Sequence, residues 1–150
     1  MATVEASIDV GQPVRTVYNQ WTQFQEFPRF MEGVEQVVQL DDTHLHWVAE
    51  IGGAHREWSA EIVCQLPDER VAWRSTTGPS NAGEVTFEAV DPTTTRVTLR
   101  LDFEPEGVVE TAGEKLGIVD KQAEKDLQRF KDFIESRGVE TGAWRGEIGT

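Results

Sequence analysis

The sequence is short of several things that would narrow its function. It has one cysteine, Cys64, so no intramolecular disulfide can form. That residue sits in an apolar alternation and reads as a small core side chain. No apolar run approaches the roughly 20 residues that cross a bilayer as a helix. The first ten residues hold no basic segment and no signal-like apolar core, so a cytoplasmic protein without a membrane span is expected. Basic residues are scarce: 14 Lys and Arg stand against 27 Asp and Glu, for a net charge of −13. A surface this acidic repels nucleic acid and anionic membranes, and no basic stripe offsets it locally. There is no glycine-rich phosphate loop, no nucleophile elbow, and no cysteine–histidine pair at a spacing that would support chemistry.

What is present is an aromatic interior and clear periodicity. The chain has 150 residues, with five tryptophans and seven phenylalanines. That length suits one domain able to bury a large core without metal or disulfide. From Val109, Ala112, Leu116, Val119, Ala123, Leu127, Phe130 and Ile134 recur at steps of three and four. This predicts a helix from Pro105 to Ser136, about 45 Å long, with one apolar face. Pro105 suits its first turn and Gly138 its end. Gly107, Gly113 and Gly117 weaken its first half. They read either as a poor helix start or as room for a cavity beneath a mobile lid.

Ahead of this helix, Thr3–Val10 alternates as a half-buried strand. Short helices follow over 14–21 and 23–31, the second with Thr22 as its expected cap and Pro28 inside it. The period is then two from Val34 to Phe103, with turns at Asp41-Asp42, Gly52-Gly53, Pro67-Asp68 and Asp91-Pro92 and a loop over 77–82. Short turns require antiparallel neighbours. The fold class is therefore α+β: a curved antiparallel sheet of about seven strands gripping a long C-terminal helix, with two short helices after the first strand. The domain is expected over 1–137, and 138–150, rich in glycine, as a flexible tail in which Trp144 could dock.

The inward positions of the strands, from Leu45 and Trp47 through Trp58, Ala60, Ile62, Cys64 and Trp73 to Phe103, carry no Asp, Glu, Lys, Arg or His. Ser75 is their only hydroxyl. No catalytic group is assigned on this basis. His44 and His46 point to the polar face, His55 lies in a hairpin, Arg74 reads as outward, and Tyr18 as a packed tyrosine. No third ligand accompanies the His44–His46 pair, so no metal or other cofactor is called for. Trp58, Trp73, Phe87 and Phe103 lie near the middle of strands that the helix must cover. Together with Leu116 on the helix, they are the expected walls of a ligand site, although any one of them could simply fill the core.

Several stretches carry a family resemblance. SIDV with PVRTVYNQW and FPRFMEGVEQV resembles the opening of the polyketide cyclase/dehydrase-like family. REWSAEI, VAWRSTTG and GEVTFEAVDPTTTRVTL resemble its middle strands, and DLQRFKDFIES its last helix. The resemblance spans residues 3–136 and implies the helix-grip (START-like, SRPBCC, Bet v-like) fold, with a hydrophobic cavity between sheet and helix. It implies a small hydrophobic ligand such as a lipid, quinone or polyketide-like aromatic. The alternatives are a cyclase or dehydratase, which would need an inward titratable group, and a protein-interaction module using the acidic surface or the Trp144 tail. A homodimer is compatible with the sequence.

Overall fold

A computed structural model describes residues 2–31, 33–51, 54–77, 81–103 and 109–149, with the side chains of 2, 51, 54, 103 and 109–120 left aside. Its elements are β1 (Ala2–Val10), α1 (Val14–Trp21), a 3₁₀ helix (Phe24–Arg29), β2 (Val34–Gln39), β3 (His44–Ile51), β4 (Ala54–Leu66), β5 (Arg70–Ser75), β6 (Asn81–Asp91), β7 (Thr94–Phe103) and α2 (Val109–Arg137). The α+β expectation holds in class and in order. The turn at Gly52-Gly53, the start of the long helix at Pro105 and the loop residues 78–80 lie outside the described residues.

The seven strands form one curled antiparallel sheet in the order β1-β7-β6-β5-β4-β3-β2. Strands β2 to β7 follow one another as a meander, the arrangement that short turns impose. β1 closes the order by pairing with β7 along its whole length, from Ala2↔Phe103 to Val10↔Thr95. α1 and the 3₁₀ helix therefore carry the chain from one edge of the sheet to the other. Pro28 sits inside the 3₁₀ helix, which ends within two residues of it.

α2 runs 29 residues, about 44 Å, and stops at Gly138, whose φ of +74° only glycine adopts without strain. The Gly138 N–H donates to Ile134 O at 2.8 Å. Ala123, Leu127, Phe130 and Ile134 are buried against the sheet side, at the spacing the sequence shows. Two bonds fix the helix beside β1: Gly11 N–H donates to Glu135 Oε2 at 2.7 Å, and Lys131 Nζ donates to Asp9 O at 2.9 Å.

The core at this end is aromatic. Trp21 meets Phe130 at 5.0 Å and Phe27 at 5.4 Å between ring centres, Phe27 meets Trp47 at 5.6 Å, and Trp47 lies on Trp58 at 5.8 Å with the planes 4° apart. A row of rings thus runs from α2 to β4. Edge-to-face and stacked contacts of this kind add to the area they bury.

Two details depart from the sequence expectation. Thr22 does not cap the 3₁₀ helix. Its Oγ1 donates back to Asn19 O at 2.6 Å and closes α1. Segment 138–149, expected as a flexible tail, is tied to the body. Asn19 donates to Glu140 at 2.8 Å, Gln20 exchanges bonds with Thr141 at 2.8 and 3.1 Å, and Trp144 N–H donates to Thr22 Oγ1 at 3.1 Å. Beyond the last β3–β4 pair, His44↔Glu61, the backbone of Gln65 on β4 pairs instead with Ile148, at 2.8 and 2.9 Å.

Candidate functional site

The concave face of the sheet changes in burial along its strands. The cross-strand row Ala6, Leu99, Val85, Val71 and Gln65 is buried throughout. In the next row, towards the Ser75 end, Leu101 and Trp73 are only half-buried, and Trp58 is half-buried on its stack with Trp47. Trp73 keeps its place because its cross-strand neighbour is Gly83. An added Cβ there would lie 2.4 Å from the Trp73 ring, closer than any real contact, so glycine is what allows the indole to lie flat across β6.

The expected wall residues separate into three groups. Trp58 and Trp73 stand on the half-buried part of the concave face. Phe87 is deep in the aromatic core, edge-on to Tyr18 at 5.4 Å and to Trp21 at 6.3 Å. The side chains of Phe103 and Leu116 lie outside the described residues. Two open surface hollows lie away from this face. One, of about 490 Å³, is beside Arg29, Phe133 and Arg137; the other, of about 470 Å³, is around Arg74 and Glu84 on the convex side and touches Trp73 and Gly83 from behind.

The charged candidates are at the surface. Arg74 is exposed and reaches Glu61 at 3.3 Å, and His44 sits on Asp41 at 2.9 Å. His46 and His55 reach Glu57 at 3.3 and 3.5 Å, and these contacts hold the Glu57 carboxyl below its usual range. Among the described residues no group of three or more His, Cys, Asp or Glu is placed to hold a metal ion.

The polar groups that the structure does bring inward were not evident from periodicity. β4 carries a bulge: Ile62 pairs with Trp73, but Cys64 pairs with Ala72, leaving Val63 as the extra residue. The faces of β4 shift there. Cys64, expected inward, turns to the other side, and Gln65 takes the concave position opposite Val71. The sequence signal was the apolar run Ile62-Val63-Cys64, which breaks strict alternation. Beside Gln65 lies Tyr18, fully buried, whose phenol is pushed up by burial. Gln65, and after it the positive charge of Arg145, oppose that shift. No hydrogen bond of good geometry joins Tyr18 Oη to any group. The Arg145 guanidinium lies 5.5 Å from the Tyr18 ring centre, donating to Asn19 Oδ1 at 2.7 Å and to Asp68 Oδ2 at 2.8 Å. Asp68, in the β4–β5 turn, holds a left-handed φ of +63°, a conformation aspartate tolerates better than most residues.

A curled sheet gripping a long helix, with aromatic side chains on its concave face, defines the helix-grip class. The family model for polyketide cyclase/dehydrase and lipid transport matches residues 10–132, and the chain belongs to that family. It is 54% identical over 149 residues to an uncharacterised 17.2 kDa protein from the melC2–rnhH intergenic region of Streptomyces lincolnensis, covering 99% of each. The fold is similar to that of a START superfamily protein from Mycobacterium smegmatis (TM-score 0.77, 11% identity, 90% of this chain and 98% of that one). It is also similar to the Zhui aromatase/cyclase of a Streptomyces species (TM-score 0.75, 18% identity, 95% and 99%). A crystal structure from Deinococcus radiodurans is 28% identical, with TM-score 0.69 over 92% of this chain and 100% of that one. No helix among the described residues is long and apolar enough to cross a membrane.

Proposed function

We propose that this protein binds a small hydrophobic molecule on the concave face of the sheet, beneath the first half of α2. The observation that carries this reading is the pair of half-buried tryptophans, Trp58 and Trp73, beside a fully buried row of the same face. Two indoles held flat, one by a stack and one by a glycine, offer a broad apolar surface that binds by area and demands little polar matching. The family to which the chain belongs groups cyclases with lipid carriers.

The first experiment is native mass spectrometry of the protein purified from its own host. An added mass that is lost on denaturation is the expected result, and extraction then gives the ligand class. Trp58→Ala and Trp73→Ala should each weaken binding of that ligand about tenfold, or ~1.4 kcal/mol. Unchanged affinity in both folded variants would rule out the two indoles as the ligand surface.

A cyclase or dehydratase activity is the second reading, and one observation favours it. Tyr18 is a buried phenol beside Gln65, Asp68 and Arg145. With its ionisation opposed by burial it would act as a proton or hydrogen-bond donor rather than a base. Tyr18→Phe would then abolish turnover of a poly-carbonyl substrate while the substrate still bound.

A further inference from the structure

We infer that the open hollow between the 3₁₀ helix and the C-terminal end of α2 is a second binding site, separate from the concave face, and that it takes an aromatic carboxylate. The inference stands on this hollow alone and does not depend on a ligand beneath α2.

The hollow holds about 490 Å³, the size of a small-molecule site. Six side chains line it: Arg29 from the 3₁₀ helix, and Arg129, Asp132, Phe133, Ser136 and Arg137 from α2. Three guanidinium groups and one carboxylate thus share it, on a protein with a net charge of −13. Steps of four along α2 set Arg129, Phe133 and Arg137 on one face. A cation in the last turn of a helix is favoured by the dipole, which accounts for Arg137. The dipole does not account for Arg129, about two turns back, or for Arg29, which comes from another element. All three are held in place. Arg29 donates to Glu26 at 3.0 Å and lies 5.2 Å over the Phe133 ring centre. Arg129 faces Asp126 at 3.7 Å, and Arg137 Nε–H donates to Val139 O at 2.9 Å. Neither Glu26 nor Asp126 lines the hollow, and each of these contacts uses only part of a five-donor fork.

The lining selects the ligand. The guanidinium groups call for an oxyanion, which they bind through paired, charge-assisted hydrogen bonds. Phe133, half-buried at 5.5 Å from Phe30, and the flat guanidinium of Arg29 offer surface to a ring. Asp132 opposes a second negative charge, so a monoanionic carboxylate fits better than a phosphate dianion. A bare inorganic ion would also leave most of the hollow empty.

In the test, benzoate, benzamide and inorganic phosphate are titrated into the full chain while the arginine Nε–H and phenylalanine ring signals are followed by NMR. Benzoate should shift Arg29, Arg129, Arg137 and Phe133 to saturation, with an affinity about tenfold above that of neutral benzamide. Arg29→Gln and Arg137→Gln, both at exposed positions, should each weaken benzoate about tenfold while moving Tm by no more than about 2 °C. Benzamide binding as well as benzoate, or no shift with either, would mean that the arginines serve only the helix and its neighbours, and would overturn the site. Phosphate matching benzoate would overturn the aromatic class. Benzoate affinity unchanged in both variants would put the carboxylate elsewhere and overturn the assignment to this hollow.

Discussion

Gly83 shows how a single atom can govern the proposed surface. Because its missing Cβ is the space that the Trp73 ring occupies, Gly83→Ala should lift the indole off β6 rather than distort the sheet. The expected result is a shift in tryptophan emission, weaker ligand binding and a stability loss of about 1–3 kcal/mol in denaturant. Asp41 is a second site where one residue's chemistry is measurable. Its Oδ1 accepts from Thr43 N–H at 2.8 Å and His44 N–H at 2.9 Å, and the His44 ring lies beside it. The turn's donors hold the carboxylate form, with Thr43 the largest influence, and bring its pKa down to about 2. Whatever this turn adds to stability is therefore intact above the ordinary aspartate value of 3.8 and is lost as the pH falls towards about 2. A carboxyl-carbon NMR titration should place the Asp41 midpoint well below those of exposed aspartates; a midpoint near 3.8 would contradict the geometry.

At the scale of elements, α1 is explained by the segment that ends the described chain. Asn19, Gln20 and Thr22 are all buried. Polar residues there would normally mark a solvent face, but here each one bonds to residues 140–145. Arg145 joins α1 to the β4–β5 turn through Asn19 and Asp68. Arg145→Ala removes both bonds and the cation over Tyr18, and should cost about 2 kcal/mol in equilibrium unfolding. Loss of less than a few tenths would show that the segment is only lightly held. This contact network was illegible in the sequence because it joins residues 77 to 126 positions apart through side chains that carry no periodic signal. The strands, α1 and the second half of α2 were legible, because burial on one face imposes a period of two or of 3.6. The tryptophans were legible as inward residues by the same rule. The inward turn of Gln65 was not, because a bulge interrupts the rule that revealed the rest.

For the molecule as a whole, the net charge of −13 is the dominant electrostatic fact. Ion pairs such as Arg74–Glu61 and Arg96–Asp9 are at the surface, where each contributes little, and the remaining carboxylates repel one another. Raising NaCl from about 10 mM to about 150 mM shortens the Debye length from roughly 30 Å to 8 Å and should raise Tm at neutral pH. A fall in Tm over that range would mean that the surface pairs matter more than the net repulsion.

The bulge at Val63 has a consequence for how relatives of this protein could diverge. The same thirteen residues of β4, threaded straight, would seat the thiol of Cys64 where the carboxamide of Gln65 now faces inward. Which of the two the interior meets is decided by where one surplus residue is accommodated, and no codon at either position need change. Descendants that move or erase the bulge would inherit a different inner lining with an almost unaltered sequence. Aligned letter by letter, two such proteins would look alike at the residues where their interiors differ most.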